Sequence, residues 1–500
     1  MTERDHTTGR TTSGGDGAGT QAGQATDPLE ASASELAAAY RDGGLDPVEV
    51  TRAVLERIEA ADGDVNAFCL VTAEEALEAA RAAGERIRAG EALGPLDGVP
   101  VSIKDIFYTA GHPTLRGSTL LADAPDSRDP AAWPEDAPVT AATRAAGCPM
   151  VGKTTTPEFA WKGVTDSPLT GVTRNPHDPS TTSGGSSGGA AAAVVSRMGP
   201  LAVGTDGGGS VRIPAAFCGA VALKPTYGLV PMYPSSPFGT LAHAGPITRT
   251  VGDTALLMDA LVRPDDRDWS AVPTAGGFAD AAAGVGAPDS APLAGLRVAY
   301  SPTLGFGTND PEVERAVDGA VELLERLGAA VDRVDPPVSD PVDAFHVLWF
   351  AGVAAVLAPK GPDAVEHVDP SLRAALERHH GYSAQDYLDA VAVRMDLGRV
   401  MGAFHTEYDL LVTPTVPIPA FAAGSDVPPG WHSPDWTSWT PYTYPFNMTQ
   451  QPALSLPCGR TAAGLPVGVQ LVGPRFGDHE VVRAGAALEA ALGPLPGPGR

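Results

Sequence analysis

The chain reads as α/β, because short apolar runs alternate along it with stretches that repeat at helical spacing. Residues 149–153 (P-M-V-G-K), 201–205 (L-A-V-G-T) and 295–300 (G-L-R-V-A-Y) are brief and bounded by Gly or Pro, as buried strands are. Residues 311–327 and 478–492 keep an apolar stripe over several turns, as amphipathic helices do. With 500 residues and 43% hydrophobic content, the chain can bury a large core.

Taken in order, residues 1–27 are rich in Thr, Gly, Ser and Asp with almost no apolar content, and are expected to form a disordered tail. From Pro28 the pattern changes. Leu36, Tyr40, Val50, Val54, Leu55, Ile58 and the span 73–87 repeat at helical spacing, which predicts two or three helices over 28–90. Their outer faces are candidates for burying a second copy of the chain in a homodimer. Val99, Pro100, Val101 and Ile103 then read as a buried strand that carries Lys104. Residues 262–292, rich in Ala, Gly, Pro and Asp, are expected to form a surface excursion, and no internal repeat is evident.

The chemistry concentrates in residues 183–214, S-G-G-S-S-G-G-A-A-A-A-V-V-S-R-M-G-P-L-A-V-G-T-D-G-G-G-S-V-R-I-P, where Ser186 and Ser210 both sit in glycine nests. A serine hydroxyl is a weak nucleophile until a base takes its proton, and lysine is such a base only when burial keeps it neutral. Lys104 lies in an apolar run, in a chain with five lysines against 29 arginines. The neighbouring Asp105 leaves open a structural ion pair with Lys104 instead. Gly207, Gly208 and Gly209 can bring backbone N–H groups close to a developing oxyanion. A flexible linker is the other reading of this run, but apolar stretches flank it on both sides.

The pair G-G-S-S-G-G and G-T-D-G-G-G-S-V-R-I-P-A, with Lys104 upstream, resembles the defining region of the amidase signature family. The resemblance extends through P-L-D-G-V-P-V-S-I-K-D, V-G-K-T-T-T-P-E-F, C-G-A-V-A-L-K-P-T-Y-G and G-L-P-V-G-V-Q-L-V-G-P, covering about residues 30–490. It implies one large catalytic domain over 28–495, with a mixed central sheet covered by helices on both faces and a variable substrate-side region at 296–411. It further implies Ser210 as acylated nucleophile, Ser186 as a bridging serine in a cis peptide, Lys104 as base, and the N–H groups of Gly207, Gly208, Gly209 and Ser210 around the oxyanion. No cofactor is implied. Ser183, Val211 and Ala222 depart from the commoner residues without removing a catalytic group.

The activity implied is hydrolysis of a small carboxylic amide by a stand-alone enzyme; the alternative is the glutaminase component of a tRNA-dependent amidotransferase. That component usually resembles G-K-T-N-M-D-E-F and D-T-G-G-S-I-R-Q-P, whereas this chain has G-K-T-T-T-P-E-F and D-G-G-G-S-V-R-I-P. Substrate walls are expected in 431–446, where Trp431, Trp436 and Trp439 either line the pocket or anchor the loop.

Other formal matches fail on context. Residues 147–154 satisfy the phosphate-loop pattern, but a helix-like A-A-T-R-A-A precedes them and Pro157 follows. A nucleophile elbow centred on Ser186 or Ser187 would need an apolar strand before it, where the chain is polar; His243 or His479 would be its nominal base. The net charge of −26 disfavours nucleic acid and anionic membranes as partners. Cys69, Cys148, Cys218 and Cys458 are far apart, the 11 histidines lack metal-ligand spacing, and no apolar run reads as long enough to span a bilayer. With no signal-peptide pattern at the start, a soluble, reduced cytoplasmic protein is the expectation.

Overall fold

A computed structural model describes residues 27–273, 276–287 and 290–498, so the expected tail lies outside the described residues up to position 26. The strands, in chain order, are β1 (Phe68–Val71), β2 (Val101–Lys104), β3 (Met150–Thr154), β4 (Asp166–Ser167), β5 (Gly171–Val172), β6 (Leu201–Asp206), β7 (Val221–Lys224), β8 (His243–Thr248), β9 (Arg297–Tyr300), β10 (Ala330–Arg333), β11 (Leu410–Pro414), β12 (Ala453–Arg460) and β13 (Pro466–Val472). Eleven form one sheet in the order β1-β3-β2-β6-β8-β7-β12-β13-β11-β9-β10, and β4 pairs with β5 as a small ribbon.

The sheet is mixed. β2 runs parallel to β3 and β6, and β9 to β10 and β11, while the strands between are antiparallel. Side-chain alternation divides the strands between two cores. Val101, Ile103, Val298, Leu410 and Leu454 face one apolar cluster, and Ala299, Leu411 and Ala453 the other, so helices cover both faces.

The expected N-terminal helices are Ala33–Arg41, Pro47–Val65 and Ala73–Ala89. Capping explains two of their starts: the Ser32 and Asp46 side chains accept the Glu35 and Val48 N–H groups. Their apolar residues Leu36, Tyr40, Val50 and Ile58 are buried within the chain itself.

One expectation is refined and one corrected. The 262–292 segment contains the helix Phe278–Ala283, whose Phe278 is fully buried and stacks on His479 with ring centroids 4.3 Å apart. This ring, together with Asp259, which accepts the Phe278 and Ala279 N–H groups at 2.9 Å each, pins an otherwise Ala- and Gly-rich excursion. Among the described residues, one helical span, Val342–Lys360, is long and apolar enough to cross a bilayer by length and composition. Its Phe345, Trp349 and Val353 are buried against the second core, which accounts for its hydropathy.

Candidate active site

Lys104 is the last residue of β2, and the loop 207–211 leaves the last residue of its parallel neighbour β6, so both reach the carboxyl ends of adjacent strands. Open α/β sheets bind their ligands at that edge. The helix Gly188–Val195 enters from the same side, and its fully buried glycines and alanines let it lie close against its neighbours. Ser187 N–H donates to Ser210 O at 3.0 Å, which ties the two serine-bearing loops together.

Lys104 Nζ is completely buried, 2.7 Å from Ser186 Oγ, 2.9 Å from Ser187 Oγ and 2.8 Å from Thr205 Oγ1. Burial pushes its pKa well below the usual lysine value, against an opposing pull from the Asp206 charge. The ion pair left open for Asp105 is made with Lys153, at 2.7 Å. Four of the five lysines are buried, and Lys104 is the one held only by hydroxyls.

The Gly185–Ser186 peptide is cis. Ser186 and Ser210 both line one cleft, whose walls are mainly apolar. Ser210 is buried, and its hydroxyl has no hydrogen-bond partner among the described residues. Gly207 lines the same cleft. Gly209 N–H does not point free: it donates to Asp206 Oδ1 at 2.8 Å, leaving Gly207, Gly208 and Ser210 with N–H groups that have no acceptor among the described residues.

The glycine loop is held by a buried network that the sequence reading missed. Arg212 grips Asp206 through two hydrogen bonds of 2.9 Å and donates to Asn447 Oδ1, Gln470 Oε1 and Thr443 O. Asn447 donates to Asp206, and Thr443 Oγ1 to Gly208 O at 2.6 Å. Burial alone would raise the Asp206 pKa, but the Arg212 charge and hydrogen bonds hold it below the usual carboxylate range. Side chains at the glycines have no room. A Cβ at Gly207 would lie 2.9 Å from the Trp349 ring, one at Gly208 2.8 Å from Trp436, and one at Gly209, where φ is +127°, 2.6 Å from Thr443.

Trp431, Trp436 and Trp439 are not among the residues that line this cleft, which favours the anchoring alternative over the wall. Trp439 is fully buried, stacked on Phe217, and its Nε1 donates to Asp426 O. Trp436 packs beneath Gly208 and edge-on to Phe345. Trp431 Nε1 donates to Ser438 and its ring borders a separate surface groove. The 3₁₀ turn Trp436–Trp439 folds the Trp436 and Trp439 rings inward as anchors. The aromatic walls are instead Trp349, Phe238, Phe107 and Phe159, with Arg116 among them.

The remaining motif readings resolve by position. Lys153 of the formal phosphate loop lies inside β3 and is committed to Asp105, Pro113 O and Thr114. His243 is buried and its Nδ1 faces the carbonyls of Leu241 and Asp206, while His479 stacks on Phe278. His346, His379 and Asp435 come within 4.8 Å of one another, a juxtaposition invisible in their spacing, but Arg378 already neutralises Asp435 at 2.8 Å. All four cysteines are free.

The family model described as Amidase matches residues 49–482. An acylamidase of Rhodococcus erythropolis is 36% identical over 92% of this chain and 95% of its own length. In Thermobifida fusca, the A component of the glutamyl-tRNA(Gln) amidotransferase is 37% identical over 93% of this chain and 97% of its own. The crystal structure of a bacterial aryl acylamidase of the amidase signature family superposes with a TM-score of 0.83 at 30% identity, covering 93% of this chain and 96% of that one. A match of this extent, on a mixed eleven-stranded sheet of the same architecture, means that the chain belongs to the amidase signature family of hydrolases.

Proposed function

We propose that this protein hydrolyses small carboxylic amides through Ser210, Ser186 and Lys104, by way of an acyl-enzyme. The observation that carries the reading is the buried Lys104 amine surrounded by three hydroxyls and no carboxylate. A neutral amine has two protons to donate and one lone pair to accept with. It donates to Ser187 and Thr205 and accepts from Ser186, whose oxygen then receives the Ser210 proton as the alkoxide attacks the carbonyl. The oxyanion forms against the N–H groups of Gly207, Gly208 and Ser210, and the relay run backwards protonates the departing amine. Water then hydrolyses the ester. Residues 28–495 act as one catalytic unit in this scheme.

The relatives named as amidotransferase components favour a second reading, a glutaminase that works only in an assembly. The environment of Gly207 argues for the first. The amidotransferase pattern has threonine at that position, and here the Trp349 ring fills the space its side chain would need. Gly207→Thr is accordingly expected to lower kcat at least tenfold by displacing the loop. The deciding measurement is made on the purified single chain. Release of amine from aliphatic and aryl amides, with an acyl adduct visible by intact mass, is expected; turnover of glutamine only after the other amidotransferase components are added would turn the assignment to the second reading.

Because Trp436 and Trp439 are packed rather than presented, replacing either by alanine is expected to destabilise the fold by about 3–5 kcal/mol. The loss in kcat/KM should then be the same for acetamide and for an aryl amide. A selective loss on the aryl substrate would restore these rings as pocket walls.

A further inference from the structure

We propose that Arg116 makes this site selective for amides that carry a carboxylate, an inference that rests on the hydrolase reading above and narrows its substrate class. Arg116 lines the cleft shared by Ser210 and Ser186, and its side chain has no carboxylate or hydrogen-bond partner among the described residues. The chain as a whole carries 60 acidic against 34 basic residues. A cation left unpaired between Phe107, Phe159 and Trp349, while carboxylates are abundant elsewhere, is a binding group awaiting its anion.

The turn that presents it is built for the purpose. Arg116 has a left-handed backbone (φ +54°), unusual for a residue with a side chain. Asp105 Oδ2 accepts the N–H groups of Leu115 and Arg116, at 3.2 and 2.9 Å, and Arg116 O accepts from Phe159 N–H at 2.8 Å. Lys153 completes the clamp: it pairs with Asp105 and donates to Pro113 O and Thr114 Oγ1. Asp105 thus directly follows the base Lys104 in sequence and fixes the turn that carries Arg116, coupling the anion site to the catalytic strand. Tyr108 supports the guanidinium, its ring centroid 5.7 Å from Cζ. The planar fork of the guanidinium matches a carboxylate through two parallel hydrogen bonds, which an ammonium cannot reproduce.

The test compares two pairs of amides, with the carboxylate on the acyl half in one and on the amine half in the other: succinyl- against butyryl-p-nitroanilide, and N-acetyl-4-aminobenzoate against N-acetyl-4-toluidine. In at least one pair the wild-type protein is expected to favour the carboxylate in kcat/KM by about tenfold or more, the range of a charge-assisted hydrogen bond. Arg116→Gln should bring that ratio to within about twofold of one, and Arg116→Lys should restore part of it. A wild-type ratio near one in both pairs, or a ratio that survives Arg116→Gln, overturns the inference while leaving the hydrolase reading intact. Failure to hydrolyse any of the four, together with failure on aliphatic amides such as acetamide, defeats the hydrolase reading instead. In that case, calorimetric binding of succinyl-p-nitroanilide to the Ser210→Ala protein, with and without Arg116→Gln, decides the role of Arg116: equal affinities overturn it, and a tenfold loss sustains it.

Discussion

Ser210→Ala is expected to lower amide hydrolysis by about four to six orders of magnitude, as removal of a nucleophile that works as one unit with its base does. The fold should be unaffected, because the Ser210 hydroxyl makes no hydrogen bond among the described residues and its loss removes one oxygen from the cleft wall. With a slow-deacylating substrate, intact mass should show the acyl adduct on the wild-type chain and none on the variant, and peptide mapping should place the adduct on Ser210. An adduct on Ser186 or Ser187 would mean that the nucleophile-elbow reading had been right. Ser187 is poorly suited to that role, since its hydroxyl is already engaged by Lys104 and by the backbone of Thr205.

Lys104 should give the second large effect, with a pH signature of its own. Lys104→Ala is expected to cost about four to six orders of magnitude in kcat, the scale of other disrupted nucleophile–base units. In the wild type, kcat/KM should fall on the acid side as Lys104 gains a proton at its depressed pKa, and the variant's residual rate should lack that limb. The linked effect on stability has a definite sign. Between the folded and the unfolded pKa of Lys104, the unfolded chain binds the extra proton, so stability rises with pH across that window. Lys104→Met keeps the length of the side chain and should flatten this part of the stability profile. An unchanged slope, or an unchanged acid limb in the alanine variant, would show that another group titrates.

The residues of the proposed triad stood out because they announce themselves locally: two serines in glycine nests and a lysine in an apolar strand are uncommon enough to be picked out without a fold. The helices at 33–41, 47–65, 311–326 and 478–492 were legible for a similar reason, their apolar stripes being set by neighbours three and four residues apart. What stayed hidden depends on contacts between distant segments. Trp349 sits within an apolar helix where nothing marks it as a cleft wall, and only the approach of Gly207 makes it one. The three tryptophans at 431–439 left wall and anchor open, because composition cannot say that a 3₁₀ turn will fold Trp439 onto Phe217 and Trp436 onto Gly208. Asp105 was ambiguous for the same reason. Its side chain, just past the end of β2, meets Lys153 on the neighbouring strand β3, far along the chain.

The packing of Trp349, Phe345 and Trp436 onto Gly207 and Gly208 limits how this enzyme can be re-engineered by recombination. The region from 296 to 411 looks like an exchangeable specificity cassette, yet it contributes two of the rings that seat the glycine loop, while the third comes from the segment beyond it. A crossover that imports this cassette from a relative with threonine in place of Gly207 would bring rings shaped for a different loop, and the transplant would break the machinery it was meant to retarget. Productive chimeras should therefore exchange 207–214, 342–357 and 436–447 together, as one inherited block.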